Sequence, residues 1–183
     1  DSMLKKINAI FLIIILTGCS NQMNKKIPTI PMEDFFRNPD KSSFQISPDG
    51  KHISYMKPWK TRMNVHVVDV ATNNEIRLTS SEERSVYGYG WLGNNRIGYV
   101  KDDGGDENMH FYAVNIDGTN EIDLTPFDNV QARIIDDLEN DPDHIILGLN
   151  KRDPQIHDPY RINVNNGKME MIAENPGNIS SWM

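Results

Sequence analysis

The chain has 183 residues, 38% hydrophobic and 25% charged, an ordinary globular composition. Its formal net charge is −7; Asp1, Lys5 and Lys6 give the first eighteen residues +1, so the remainder carries −8, and an acidic surface without a basic stripe argues against nucleic acid as a partner. One cysteine excludes an internal disulfide.

Asp1-Ser2 precede Met3 and look like a cloning remnant; Lys5-Lys6, the apolar run Ile7–Leu16 and Leu16-Thr17-Gly18-Cys19 follow. A basic start, a short apolar run and small residues at a cleavage point make a secretory signal. The apolar run is too short for a membrane-spanning helix, which needs about 20 residues. Leu16–Cys19 resembles a bacterial lipobox, and that resemblance implies removal of residues 1–18 and lipidation of Cys19. An ordinary signal peptide, or an uncleaved anchor with an incidental cysteine, is the alternative. Either reading places the protein outside the cytoplasm, facing the periplasm or the cell surface. Residues 19–31, polar with Lys25-Lys26 and two prolines, read as a tether. Residues 32–183 are the folded part, and Pro31–Pro39 can hold one helical turn.

From Phe44 the chain reads as short β runs separated by turn residues. Phe44–Ser47, the Pro48-Asp49-Gly50 turn, Lys51–Lys57, the loop Pro58–Met63, Asn64–Val70, the Asn73-Asn74 turn and Glu75–Thr79 make one antiparallel meander. A second comprises Val86–Leu92, Arg96–Lys101, the loop Asp102–Asn108, Met109–Ile116 and Glu121–Thr125. Glycines alternating with Tyr87, Tyr89 and Trp91 suit an innermost strand crowded by its neighbours. A third comprises Gln131–Leu138, His144–Asn150, the loop Lys151–Asp158, Tyr160–Val164 and Lys168–Ala173. Asn178–Met183 is expected to begin a fourth.

The unit repeats. HVVDVATNNEIRLT around Asp69 returns as YAVNIDGTNEIDLT around Asn115 and as YRINVNNGKMEMIA around Asn163, at offsets of 46 and 48 residues. Four strands per repeat at this period mark an all-β fold of β-propeller blades: three four-stranded antiparallel blades and the start of a fourth. Closed propellers have about 4–8 blades, so the propeller is expected to be incomplete and the chain to be the front piece of a longer protein.

SPDGKHISY, GDENMHFYAVN, the Leu124–Phe127 corner, LNKRDPQIHDPYRIN and ENPGN together resemble the N-terminal propeller of bacterial prolyl oligopeptidase-family serine peptidases, of the acylaminoacyl-peptidase or dipeptidyl-peptidase type. The resemblance covers about residues 31–183. It implies a full-length enzyme in which the propeller caps a C-terminal α/β-hydrolase domain, its partner, and limits by size which peptide substrates reach a Ser-Asp-His triad there. SPDG alone is shared with non-enzymatic periplasmic propellers like the TolB protein, and such a binding module is the alternative.

No Gly-x-Ser-x-Gly elbow occurs in this chain, so no nucleophilic serine is expected and the chain alone is expected to be inactive. None of the five histidines falls in a defensible triad, and no motif points to zinc or to a cofactor. The loop Asp102–Asn108 offers oxygen ligands without the spacing of a calcium loop; a solvated loop with Asx turns is the other reading. The three loops between second and third strands emerge on one face of the disc, since each antiparallel strand reverses direction. That face is expected to carry Asp106, Glu107, Arg152 and His157 for substrate or interdomain contact, with a carboxylate available to a peptide's amino terminus. Pairing among these side chains, merely ordering the loops, is the alternative.

Overall fold

The computed structural model describes residues 29–37 and 39–182. Residues 1–28, and with them the signal segment and Cys19, lie outside the described residues. The chain divides into two units, residues 1–38 and 39–183. In the first, Pro31 leads into a single helical turn, α1 (Met32–Phe36), closed by Asp34 N–H donating to the Pro31 carbonyl at 3.1 Å.

The second unit holds three four-stranded antiparallel sheets. Blade one is β1 (Ser42–Ile46), β2 (His52–Trp59), β3 (Arg62–Asp69) and β4 (Glu75–Arg77). Blade two is β5 (Gly88–Trp91), β6 (Arg96–Lys101), β7 (His110–Asn115) and β8 (Ile122–Asp123). Blade three is β9 (Ala132–Asp136), β10 (His144–Asp153), β11 (Ile156–Asn163) and β12 (Met169–Met171). In each sheet spatial order follows chain order, and no sheet closes on itself.

Period-two alternation decides how the blades stack. In blade two both faces are apolar: Ile97, Tyr99 and Val114 face blade one, where they meet Met56, Val65, Val67 and Leu78. From the other face, Phe111 and Ala113 meet Ile145, Leu147, Leu149 and Ile162 of blade three. Each core is thus the space between two sheets, and each fully buried side chain of this size contributes about 1.5–3 kcal/mol. Backbone bonds seal both seams at repeat-equivalent positions: Val86 N–H donates to Met63 O at 3.0 Å, and Ala132 N–H to Met109 O at 2.8 Å.

The structure corrects three local expectations. Pro58–Met63 is not a loop: β2 and β3 pair as far as Trp59 with Arg62, leaving a two-residue turn. The Trp59 ring is covered by the Arg77 guanidinium at 3.9 Å and the Lys60 ammonium at 4.7 Å, so cations supply packing there that apolar residues supply elsewhere. Pro58 is tolerated because β1 pairs no further than Met56, so the sheet is two-stranded where the proline's missing N–H would matter. Lys151–Asp158 is likewise a hairpin, turning at Pro154-Gln155 with Asp153 opposite Ile156. Gly88 and Gly90 are not crowded, a Cβ at either meeting nothing within 4 Å; the glycine that packing requires is Gly98, where a Cβ would lie 2.6 Å from the Phe111 ring. Asn178–Trp182, expected to begin a fourth blade, pairs with no strand among the described residues.

Candidate functional site

Among the described residues, the face carrying the β2–β3, β6–β7 and β10–β11 connections is organised by buried polar anchors. In blade three Arg152 grips Asp158 with both arms, Nε to Oδ2 at 2.9 Å and Nη2 to Oδ1 at 3.0 Å. The Asp158 side chain is fully buried while that of Arg152 stays 37% exposed. Asp158 Oδ1 also accepts from the Asn175 N–H at 2.7 Å, and Arg152 Nη2 donates to the Asn175 carbonyl at 2.8 Å. The Asn175 side-chain oxygen in turn accepts from Gly177 N–H at 2.9 Å, and its amide donates to Ile179 O at 2.8 Å. The Arg152 guanidinium, with the Asn175 N–H beside it, holds the Asp158 carboxyl below its ordinary range. This cluster ties the chain leaving blade three to the β10–β11 hairpin.

A register shift between Leu149 and Asp153 makes the cluster possible. The bulge sets Arg152 across the hairpin from Asp158 and frees Asn150, whose side chain accepts from Gln131 N–H at 2.6 Å and donates to Pro154 O at 3.1 Å.

Blade one has the same device in neutral form. Asn64 is the third residue of β3 as Asp158 is of β11; its Oδ1 accepts from Ser81 N–H at 2.7 Å, and it is fully buried. Acceptor and donor are 17 residues apart in both blades. The role of Asn175 was missed in the sequence, and this shared spacing is the signal that could have found it. In blade two a different pair serves, Arg84 Nε donating to buried Asp102 at 3.1 Å while its Nη2 reaches the Tyr87 hydroxyl at 2.7 Å.

Of the four residues expected on this face, Asp106 and Glu107 are exposed on the β6–β7 loop. Asp106 accepts from the backbone and side chain of Asn108, both at 3.0 Å, and these bonds keep its carboxyl low. Glu107 adopts φ +62° and offers its carbonyl to the Gln131 side chain at 3.3 Å. Arg152 is committed to Asp158. His157 points elsewhere, toward blade three's second face. No hydrogen bond or ion pair joins Asp106 or Glu107 to Arg152 or His157 among the described residues. Nor do any three His, Cys, Asp or Glu side chains there come together as metal ligands.

On that second face lies a cavity of about 380 Å³ between β9–β11 and the segment 175–182. Gly148 forms part of its floor, a Cβ there meeting Ile135 at 3.3 Å and His157 at 3.4 Å. Arg133, Gln155, Ser180 and Trp182 stand around it. His157 Nε2 is buried without a partner; burial, and then the Arg133 charge, pull its imidazole below the ordinary value, so it is neutral at pH 7.

No family model matches the chain. Over 156 residues it is 31% identical to dipeptidyl aminopeptidase BIII of Pseudoxanthomonas mexicana, covering 84% of this chain and 23% of that protein. It is 27% identical over 160 residues to dipeptidyl peptidase family member 6 of Caenorhabditis elegans, covering 81% and 21%. The chain thus spans less than a quarter of the length of either relative. Among solved structures, the β-propeller domain of the trilobed protease from Pyrococcus furiosus superposes with a TM-score of 0.51 at 18% identity, over 74% of this chain and 44% of that one; its topology is described as open velcro. Three stacked four-stranded blades, matched along most of their length by peptidases, make this chain a propeller segment of a peptidase-family protein.

Proposed function

We propose that the chain is the access-controlling propeller segment of an extracytoplasmic, lipid-anchored serine peptidase that hydrolyses short peptides. The observation that carries this reading is the 31% identity to a dipeptidyl aminopeptidase along 84% of the chain, confined to blades that contain no nucleophile elbow. The chemistry then belongs to a hydrolase domain elsewhere in the full-length protein, and the blades act by geometry. Tightly sealed seams and anchored blade exits make a rigid wall, which suits a filter that admits peptides by size. Asp106 and Glu107, exposed on one loop, are the carboxylates available to a peptide amino terminus or to the hydrolase domain. Cys19 carries the anchor.

The test uses the full-length protein. A fluorophosphonate should label it at one serine and leave this 183-residue chain unlabelled; labelling of the chain alone would sink the reading. Glu107→Gln should lower turnover of a dipeptide substrate by about tenfold, the scale of one lost charged contact at 1.4 kcal/mol, with unfolding unchanged. Turnover equal to wild type would remove Glu107 from the contact face. Cys19→Ser should move the protein from the membrane to the soluble fraction, and unaltered fractionation would refute the anchor.

A further inference from the structure

Two glycines of β5 are explained neither by conformation nor by packing. Neither Gly88 nor Gly90 has the positive φ that glycine alone adopts freely. A Cβ at either would meet nothing within 4 Å, whereas one at Gly98, on the neighbouring strand, would strike the Phe111 ring. The β5–β6 ladder runs from Gly88 to Trp91 without a register shift, so no bulge accounts for them. Glycine weakens a strand interior, and the remaining reason to keep it there is the close approach of another chain or ligand.

The space beside these glycines has defined walls. Tyr89 and Trp91 pack toward blade one, Trp91 Nε1 donating to Ser54 Oγ at 3.0 Å, so alternation puts positions 88 and 90 on the blade three side. There Ile134 of β9 pairs with core residue Leu147, which turns it toward blade two, yet it is 57% exposed. Blade two has a neighbour packed on each face, so this space is not the seat of a further blade. β5 is the innermost strand of its blade, its inner edge pairs with no strand among the described residues, and in a propeller that edge lines the central channel. Leu92 N–H donates to Arg96 O at 2.9 Å, so antiparallel alternation aims the amides of Gly88 and Gly90 at β6 and those of Tyr89 and Trp91 away from it. The Tyr89 carbonyl accepts from Gln45 Nε2 at 3.0 Å, and the Tyr89 hydroxyl donates to the Ser43 carbonyl. These bonds lace β5 to β1. No hydrogen bond joins β5 to β9 among the described residues, so the blade three side is the open one.

We propose that an extended peptide passes along the inner edge of β5, and that Gly88 and Gly90 are specificity-determining residues that set how thick a chain the passage admits. The Tyr89 N–H and the Trp91 amide offer backbone hydrogen bonds to an extended strand, the two bare glycines let its side chains and backbone come close, and Ile134 supplies apolar contact on the far side. A folded polypeptide fits neither the edge nor the gap. This rests on the reading of the protein as an access-controlling propeller and names the residues that set the limit. Its test reads the accessibility of one position rather than turnover, so failure of the serine labelling above and failure here are told apart.

The experiment uses the full-length protein carrying Cys19→Ser and Gly90→Cys, with modification followed by mass spectrometry of the fragment that contains position 90. N-ethylmaleimide should modify the introduced thiol at a rate within tenfold of that at Lys51→Cys, an exposed turn position. A polyethylene-glycol maleimide of several kilodaltons should modify Gly90→Cys at least tenfold more slowly than Lys51→Cys. After fluorophosphonate treatment, which keeps a peptidase from consuming the peptide, pentaalanine should slow the N-ethylmaleimide reaction saturably, by about tenfold. Gly88→Val added to Gly90→Cys should abolish that protection and leave the urea midpoint in place. Four results would each overturn the proposal: a thiol that N-ethylmaleimide does not reach, equal access for the large reagent, no protection by pentaalanine, or protection that survives Gly88→Val. A lowered midpoint in Gly88→Val would also overturn it, by showing that packing rather than passage requires the glycine.

Discussion

At the scale of single residues, glycines of one sequence type have opposite reasons to exist. Gly98 sits in the middle of β6, where a Cβ would collide with the Phe111 ring at 2.6 Å and the Leu92 side chain at 3.0 Å. Phe111 is 3% exposed and cannot withdraw. Gly98→Ala should therefore destabilise the chain by about 1–3 kcal/mol, the cost of overpacking a filled core. Gly88→Ala, which meets nothing within 4 Å, should change stability by no more than a few tenths of that. Urea unfolding of the two variants measures both, and equal midpoints would show that the blade two–three core is looser than its geometry. Arg96 poses a different residue-scale question. It is 5% exposed with no acidic partner, and is held by the carbonyls of Val164 at 3.0 Å and Asn120 at 3.1 Å and by the side chain of Asn115 at 2.5 Å. Burial lowers its pKa, and those neutral oxygens replace the water it loses, joining blade two to blade three.

At the scale of elements, the β10–β11 hairpin and the chain that follows it stand or fall together. Asp158 takes hydrogen bonds from both arms of Arg152 and from the Asn175 backbone, with its side chain fully buried. Asp158→Ala leaves a buried N–H and a guanidinium unsatisfied and should cost about 1–3 kcal/mol. Hydrogen exchange should accelerate at Asn175 and through residues 177–179 before it does in β10. Uniform acceleration across the blade would mean that the cluster stabilises the sheet as a whole rather than its exit. The same hairpin explains a misreading of the sequence. Lys151–Asp158 is charged and proline-containing, features of loops, yet a ladder needs only backbone partners, and here a cross-strand ion pair takes the place of an apolar one.

For the whole molecule, charge linkage sets the response to acid. His66 is 6% exposed, stacked on Tyr55 at 5.9 Å, and burial lowers its pKa; burial lowers that of His157 too. Groups that fold neutral gain protons on unfolding, so their contribution is whole above the ordinary value of 6.5 and is lost as pH falls below it. Asp158 and Glu75, the latter pulled down to about 2 chiefly by Lys57, add a second loss. Their folded pKa values lie below the ordinary ones, so their contribution is present above pH about 4 and disappears as pH falls further. The melting temperature should hold between pH 7 and 8, decline from about pH 6.5, and decline again below about pH 4. His66→Phe should flatten the first decline; an unchanged profile in that variant would assign it to other groups.

The sequence by itself determined that the chain is all-β, that it repeats every 46 to 48 residues, and that each repeat makes four strands, because side-chain alternation and turn chemistry are local properties written in consecutive residues. The lack of a Gly-x-Ser-x-Gly elbow was equally legible, since that motif is contiguous. Tertiary structure alone decided which charged residues of the face carrying the second-to-third-strand connections are already paired. Arg152 and Asp158 read as two charges six positions apart, and only the bulge in β10 and the return of Asn175 turn them into a closed cluster. The cavity beside His157 was equally hidden, because it is bounded by side chains from β9, β10, β11 and the segment after β12, which approach one another only when the blade is folded. Local pattern fixes which strands form; which polar groups remain unsatisfied depends on what the fold brings to them from far along the chain.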